Sequence, residues 1–183
     1  PLFAPGTKKK TVSAKEGSTY TATSSRDEEI RRLEAQEKTD SRKSAEERNK
    51  LGQYSTPFPL AFQIVTRSLE YLPANTPLTF LEPALGTGVF FSALNRAAGK
   101  TQILSAVGCE VDPAYGDIAD SIWKPFGLQT LSCNFIDYAS DSSNFGSFTL
   151  LCTNPPYVRH HHLSSDNKAH LQSLVMQRLG LQP

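Results

Sequence analysis

Apolar residues recur in regular patterns only from residue 51 onward. Between residues 58 and 72 they recur at the spacing of one helical face, which predicts a helix. Four short apolar runs, each typical of a buried strand, follow at residues 78–81, 104–109, 128–133 and 148–152. Segments of helical length separate the first three runs, at residues 89–98 and 113–123.

Strands and helices therefore alternate at intervals of about twenty to thirty residues. This alternation predicts an α/β domain with a doubly wound, mainly parallel sheet. Open sheets of this kind bind ligands beyond the carboxyl ends of their strands. The polar residues and glycines that directly follow each strand are therefore the candidates for a functional site.

The first fifty residues are too polar to build a core. Residues 1–25 carry four Lys against one Glu, which predicts a disordered basic arm. In residues 26–50, sixteen of twenty-five side chains are charged, eight of each sign. That pattern predicts a charged helix or leader, solvated on its faces. The core-building domain is therefore expected at residues 51–183.

The loop after the first strand, residues 82–88 (the glycine loop), leads into a helix. Strand, loop and helix make the first half of a nucleotide-binding βαβ unit, in which Gly86 and Gly88 let the backbone approach a ligand. The third glycine of the dinucleotide pattern and the Lys-Ser/Thr pair of a P-loop are absent. The loop therefore suits a phosphate-free ligand that carries an amine, and Glu82 would attract that amine through water.

Acidic residues follow the second strand. Glu110 stands at its carboxyl end, where two carboxylate oxygens match the two vicinal hydroxyls of a ribose. A solvated charge is the alternative for this residue. Asp112 precedes Pro113 and the next helix, which is typical of an N-cap residue.

The fourth strand delivers the sequence Asn154, Pro155, Pro156 and Tyr157 (the Asn-Pro-Pro-Tyr loop). The side-chain oxygen of Asn154 and the carbonyl of Pro155 are two hydrogen-bond acceptors. Aimed at one exocyclic amino group, they would concentrate its nitrogen lone pair, while Tyr157 offers a face for stacking. The two prolines stiffen the turn. A turn that only ends a strand is the alternative.

The remaining reactive residues indicate neither a metal site nor a membrane anchor. Cys109, Cys133 and Cys152 contain no Cys-x-x-Cys pair and are expected to be buried thiols in a reducing cytosol. Three consecutive His at residues 160–162 rarely converge on one ion, so no metal is predicted. No run approaches eighteen apolar residues, and a cytoplasmic protein is expected.

Three separated motifs carry a resemblance to a known family. They are residues 52–57, residues 81–90 with the glycine loop, and the Asn-Pro-Pro-Tyr loop. In this order they resemble the gamma-class, S-adenosylmethionine-dependent DNA adenine-N6 methyltransferases of restriction-modification systems. The resemblance covers about residues 50 to 160. It implies the Rossmann-like fold of class I methyltransferases, here truncated after the fourth strand, since the chain begins with Pro1 and ends abruptly.

The resemblance also implies a site for S-adenosylmethionine. Residues that would cover its methionine end form the lid segment, Tyr54, Ser55, Thr56 and Pro57. Residues of the glycine loop and the second strand that would bind it are Glu82, Ala84, Gly86, Gly88 and Glu110. Relatives usually place Asp-Phe after the third strand to hold the cofactor's adenine; this chain has Asn134 and Phe135, with Asp137 as the alternative carboxylate.

The implied reaction is methyl transfer to the N6 amino group of an adenine flipped out of double-stranded DNA, with catalysis by the Asn-Pro-Pro-Tyr loop. Two alternatives stay open, a protein glutamine N5-methyltransferase and an inactive DNA-binding module. Residues 51–183 carry seven basic and nine acidic side chains, so no basic stripe for DNA is evident. DNA is therefore expected to be contacted through a target-recognition domain absent from this chain. A fused or separate restriction nuclease is a possible partner.

Overall fold

The structure, a computed structural model, describes residues 22–98, 103–144, 148–157 and 164–180. Most of the predicted basic arm and the His run lie outside these residues. The helices are α1 (Ala22–Asp40), α2 (Ala45–Leu51), α3 (Phe58–Glu70), α4 (Val89–Ala97), α5 (Pro113–Trp123), α6 (Phe135–Ser140) and α7 (Ser165–Leu179). The strands are β1 (Leu78–Glu82), β2 (Ile103–Cys109), β3 (Leu128–Leu131) and β4 (Leu150–Leu151). Within the described ranges, no helix has the length and apolarity that crossing a membrane requires.

The four strands form one parallel sheet in the order β3-β2-β1-β4. Phe80 of β1 pairs with Ala106 of β2 on one side and with Leu150 of β4 on the other. The prediction of a Rossmann-like α/β fold with a parallel sheet is therefore confirmed. The strand order reverses at β1, which is where sheets of this type bind ligands.

Two strands are shorter than the sequence predicts, although α5 matches its predicted range. β3 ends at Leu131 because the amide of Cys133 turns back to the Leu131 carbonyl, at 3.0 Å. β4 contains only Leu150–Leu151. The amide of Cys152 nevertheless donates to the carbonyl of Leu81 at 3.1 Å, so the chain leaves the sheet just before the Asn-Pro-Pro-Tyr loop.

Aromatic side chains fill the core between the sheet and its helices. Phe91 of α4 packs against Phe80 of β1 and against Trp123 of α5, with ring centroids 6.2 and 5.8 Å apart. Trp123 is fully buried, and its Nε1 donates to the carbonyl of Thr87 in the glycine loop at 2.9 Å. The hydrophobic core therefore fixes the glycine loop directly.

Helix α1 is not solvated on all its faces, contrary to the expectation for residues 26–50. It packs against α4 and α5, and Arg32 is only 1% exposed. The guanidinium of Arg32 forms an ion pair with Glu29 and donates to Gln36 and Thr87. The charge is tolerated in the interior because its ion partner and its hydrogen-bond acceptors surround it.

Replacing Arg32 with Ala should destabilise the protein far more than replacing its neighbour Arg31. Arg32→Ala leaves the mostly buried Glu29 without its cation and should lower the free energy of unfolding by about 3 kcal/mol. Arg31 pairs with Glu28, but its side chain is 61% exposed, so Arg31→Ala should cost less than about 1 kcal/mol. Urea denaturation of the full-length protein and both variants measures the difference. Equal losses would contradict the buried position of Arg32.

Candidate active site

A cavity of about 550 Å³ opens at the carboxyl ends of all four strands. The residues that line it follow β1, β2, β3 and β4 in turn, and it lies at the reversal of strand order. Of the residues predicted to form a site, those that line this cavity are Tyr54, Ser55, Ala84, Gly86, Glu110, Asn134, Phe135, Asn154, Pro155 and Pro156. The structure thus brings together residues that are up to about a hundred positions apart.

The other predicted site residues lie outside the lining of this cavity. They are Thr56, Pro57, Glu82, Gly88 and Tyr157. Thr56 is the buried residue of the lid segment, and Tyr157 is 67% exposed. Gly88 adopts a positive φ of 84°, and a Cβ there would lie 2.8 Å from the Trp123 ring. Packing against Trp123 therefore accounts for Gly88 without any ligand.

Glu82 is fully buried beneath the glycine loop. Its two carboxylate oxygens accept hydrogen bonds from the amides of Phe90 and Phe91, at 3.2 and 2.9 Å. Burial raises the pKa of Glu82 to about 8, although these two amides and Arg32 oppose the rise. Glu82 joins the end of β1 to the first turn of α4. The structure does not bring it to the cavity, where the sequence analysis placed it opposite an amine.

Glu110 holds the glycine loop in place from the end of β2. Its Oε2 accepts from the amide of Gly86 at 2.7 Å, and its Oε1 accepts from the amide of Asp112 at 2.8 Å. A carboxylate oxygen can accept more than one hydrogen bond, so both oxygens keep capacity for a ligand in the cavity. Asp112 caps α5 by accepting from the amide of Ala114 at 3.0 Å, as the sequence predicts.

The lid segment fixes the side chain of Asn154. Asn154 Nδ2 donates to the carbonyl of Tyr54 at 3.2 Å and to Oγ1 of Thr56 at 3.1 Å. A carbonyl can only accept, so the contact with Tyr54 determines which end of the amide is the nitrogen. Both hydrogens of Nδ2 are engaged by the lid segment, and Oδ1 is the atom that Asn154 retains for a ligand.

After β3, the side chains divide between local structure and the cavity. Asn134 Oδ1 accepts from the amide of Ile136 at 2.9 Å and so caps α6. Asp137, the alternative carboxylate, lies outside the cavity lining and contacts His170 of α7 at 2.7 Å. Val111, which follows β2, and Ile136 of α6 are exposed apolar residues that line the cavity, which makes this end suited to a flat, apolar ring.

Helix α1 contributes to this cavity, which the sequence did not predict. Gln36 and Asp40 line it, together with Tyr115 of α5. A spacing of four residues puts Arg32, Gln36 and Asp40 on one face of α1. That spacing was the available signal, but a charged segment normally turns such a face to solvent.

One comparison with known proteins bears on this site. Over 125 residues, the chain is 29% identical to the Type II methyltransferase M.AccI of Acinetobacter calcoaceticus. The chain is similar to a methyltransferase. The matched stretch is 68% of this chain and 21% of M.AccI, so the chain spans about a fifth of the length of that relative. No protein-family model matches the chain.

Gly52 should tolerate no side chain, because it packs against the Asn-Pro-Pro-Tyr loop. A Cβ on Gly52 would lie 2.5 to 2.9 Å from backbone atoms of Tyr157. Gly52→Ala should therefore displace the loop and reduce ligand binding. Gly180 has the same φ of 63° but nothing within 4 Å among the described residues, so Gly180→Ala reports the backbone strain alone. Binding of S-adenosylmethionine by the two variants, measured by calorimetry, tests this; equal affinities would contradict the contact.

The buried carboxyl of Glu82 should make stability depend on pH. Its pKa in the folded protein, about 8, lies above the ordinary value of 4.5, so folding takes up a proton between these pH values. The stabilisation is complete below about pH 4.5 and is lost as the pH rises through about 8. Glu82→Gln cannot ionise, so wild type should lose stability relative to this variant between pH 5 and 9. Urea denaturation at both pH values measures it; a constant difference would show that Glu82 titrates normally.

Proposed function

We propose that this chain carries the cofactor site and the catalytic loop of an S-adenosylmethionine-dependent DNA adenine-N6 methyltransferase. The observation that carries the proposal is the fixed side chain of Asn154. Its nitrogen is held by the lid segment at Tyr54 and Thr56, so its oxygen is the atom left for a ligand. The cavity at the reversal of strand order is lined by both Asn154 and Pro155. The similarity to a Type II methyltransferase supports the same assignment.

The charges around the cavity favour a cationic ligand without phosphates. The lining residues include two carboxylates, Asp40 and Glu110, and neither Lys nor Arg. Phosphate-binding sites normally supply basic side chains or helix amides. S-adenosylmethionine carries a sulfonium and an ammonium group, and so matches this lining. Glu110 would accept from its ribose hydroxyls, Val111 and Ile136 would contact its adenine ring, and Gly86 would let the backbone approach it.

The Asn-Pro-Pro-Tyr loop would orient the amino group to be methylated. Bound S-adenosylmethionine supplies an electrophilic methyl group. Oδ1 of Asn154 and the carbonyl of Pro155 would accept the two amino hydrogens and direct the nitrogen lone pair toward that methyl group, with S-adenosylhomocysteine as the leaving group. No base is needed before attack, because the proton leaves after the nitrogen has become cationic. The exposed ring of Tyr157 would stack on the flipped adenine, which contributes about 1 to 3 kcal/mol against the cost of flipping.

Double-stranded DNA is the proposed substrate, although the lining of the cavity offers no basic groups for phosphates. The phosphates would be contacted by a target-recognition domain outside this chain. M.AccI is a Type II methyltransferase by name, which favours the same restriction-modification setting here. We also propose that a restriction nuclease, fused or separate, is a partner of this protein. The proposed location is the cytoplasm.

Asn154→Ala should abolish methylation without abolishing cofactor binding. The variant loses one of two acceptors for the reacting amino group, and one such contact typically accounts for about 10²- to 10³-fold in rate. Expression of the full-length protein in cells that lack adenine methylases, followed by nucleoside mass spectrometry of their DNA, measures N6-methyladenine. Calorimetry with S-adenosylmethionine measures binding.

Asn144→Ala is the matched control. Asn144 Nδ2 donates to the carbonyl of Tyr138, and this residue does not line the cavity. The control should retain N6-methyladenine at the wild-type level. Absence of N6-methyladenine from wild type, in a protein that binds S-adenosylmethionine, would overturn the DNA substrate and favour a glutamine side-chain amide. Equal loss of binding and methylation in Asn154→Ala would overturn the role of Asn154.

A further inference from the structure

Helix α1 buries polar residues and exposes apolar ones. Ile30 and Leu33, its large apolar side chains, are 50% and 48% exposed. Arg32 and Gln36 are buried, and Gln36 and Asp40 line the cavity. An ordinary amphipathic helix would bury the apolar face. The polar face of α1 is therefore directed at partners inside the domain, and its last turn reaches the ligand cavity.

Two residues of this face, Arg32 and Gln36, form hydrogen bonds with the glycine loop. Arg32 donates to Oγ1 of Thr87 at 2.7 Å, and Thr87 Oγ1 donates to Oε1 of Gln36 at 2.6 Å. Gln36 Oε1 also accepts from Arg32 at 2.6 Å. Because Thr87 lies between Gly86 and Gly88, α1 and the glycine loop form one unit. A group on the last turn of α1 is thereby held at a fixed position relative to the glycine loop.

Asp40 is the charged group on that last turn. Its Oδ1 accepts from the hydroxyl of Tyr115, at 2.7 Å, and burial raises the pKa of Tyr115, with a further contribution from Asp40. A nearby cation, Lys43, lies over the Tyr115 ring but forms its ion pair with Asp112, at 2.5 Å. In the part of the chain that the structure describes, Asp40 has no ion pair. It thus lines the cavity with a hydrogen bond from Tyr115 but without an ion partner.

We propose that Asp40 binds the ammonium group of the cofactor, which makes α1 part of the cofactor site. This inference rests on the proposed function, because it takes S-adenosylmethionine as the ligand. Glu82 is engaged with the amides of α4, and Glu110 stands at the ribose position. The sulfonium must lie near Asn154 for methyl transfer. The ammonium is the remaining cationic group, and Asp40 is the remaining carboxylate of the cavity lining.

Three ligands, two with the ammonium group and one without it, test this assignment in the full-length protein. S-adenosylmethionine and S-adenosylhomocysteine both carry the ammonium group, whereas 5′-methylthioadenosine keeps the adenine and ribose but has no amino-acid portion. Asp40→Asn should weaken binding of the first two on the order of tenfold, the effect of losing a close charge pair. Binding of 5′-methylthioadenosine should change less than about twofold. Calorimetry or equilibrium dialysis gives all three affinities.

Asp117→Asn is the control, since Asp117 is an exposed carboxylate of α5 that does not line this cavity. It should leave all three affinities unchanged. An equal loss for 5′-methylthioadenosine in Asp40→Asn would overturn the inference, because the effect would then come from the ribose or from the shape of the site. Unchanged affinities would overturn it too. If the wild-type protein binds none of the ligands, the proposed cofactor is wrong and this assignment falls with it.

Discussion

The position of Thr87 governs the geometry of the whole site. Its hydroxyl is held by Arg32 and Gln36 of α1, and its carbonyl is held by the buried indole of Trp123. The residue is buried in the middle of the glycine loop, so these bonds are shielded from water. Two parts of the chain that lie on opposite sides of the loop in sequence thus fix one backbone segment. These contacts, rather than the residues of the loop alone, hold its backbone in place.

The elements that the sequence predicts well depend on local patterns. The spacing of apolar residues predicts α3, and the start of α5 follows from Asp112, which caps it. The parallel sheet follows from the alternation of strands and helices. Glu110 and Asn154 could be placed near the same cavity because each follows a strand, and the carboxyl ends of parallel strands meet at one edge.

The features that the sequence does not predict depend on contacts between distant residues. Arg32 and Thr87 are 55 positions apart, and nothing in either neighbourhood indicates that they meet. Burial of a charge is favourable only when its partners are in place, which a periodicity cannot show. Glu82 lies outside the lining of the cavity for a related reason. The amides at the start of α4 donate to its carboxylate, and the sequence shows the acidic residue but not the donors that it meets in the fold.

The contacts of Asn154 connect the lid segment with the Asn-Pro-Pro-Tyr loop. Its nitrogen bonds only to Tyr54 and Thr56 among the described residues, and the backbone of Tyr157 packs on Gly52. The lid segment and the side chain of Asn154 are therefore not independent. A ligand that stabilises this arrangement of the lid also stabilises this orientation of Asn154, and by thermodynamic linkage the reverse holds with the same coupling free energy. In the proposed enzyme, cofactor and substrate should consequently bind with positive cooperativity, without any contact between the two molecules being required.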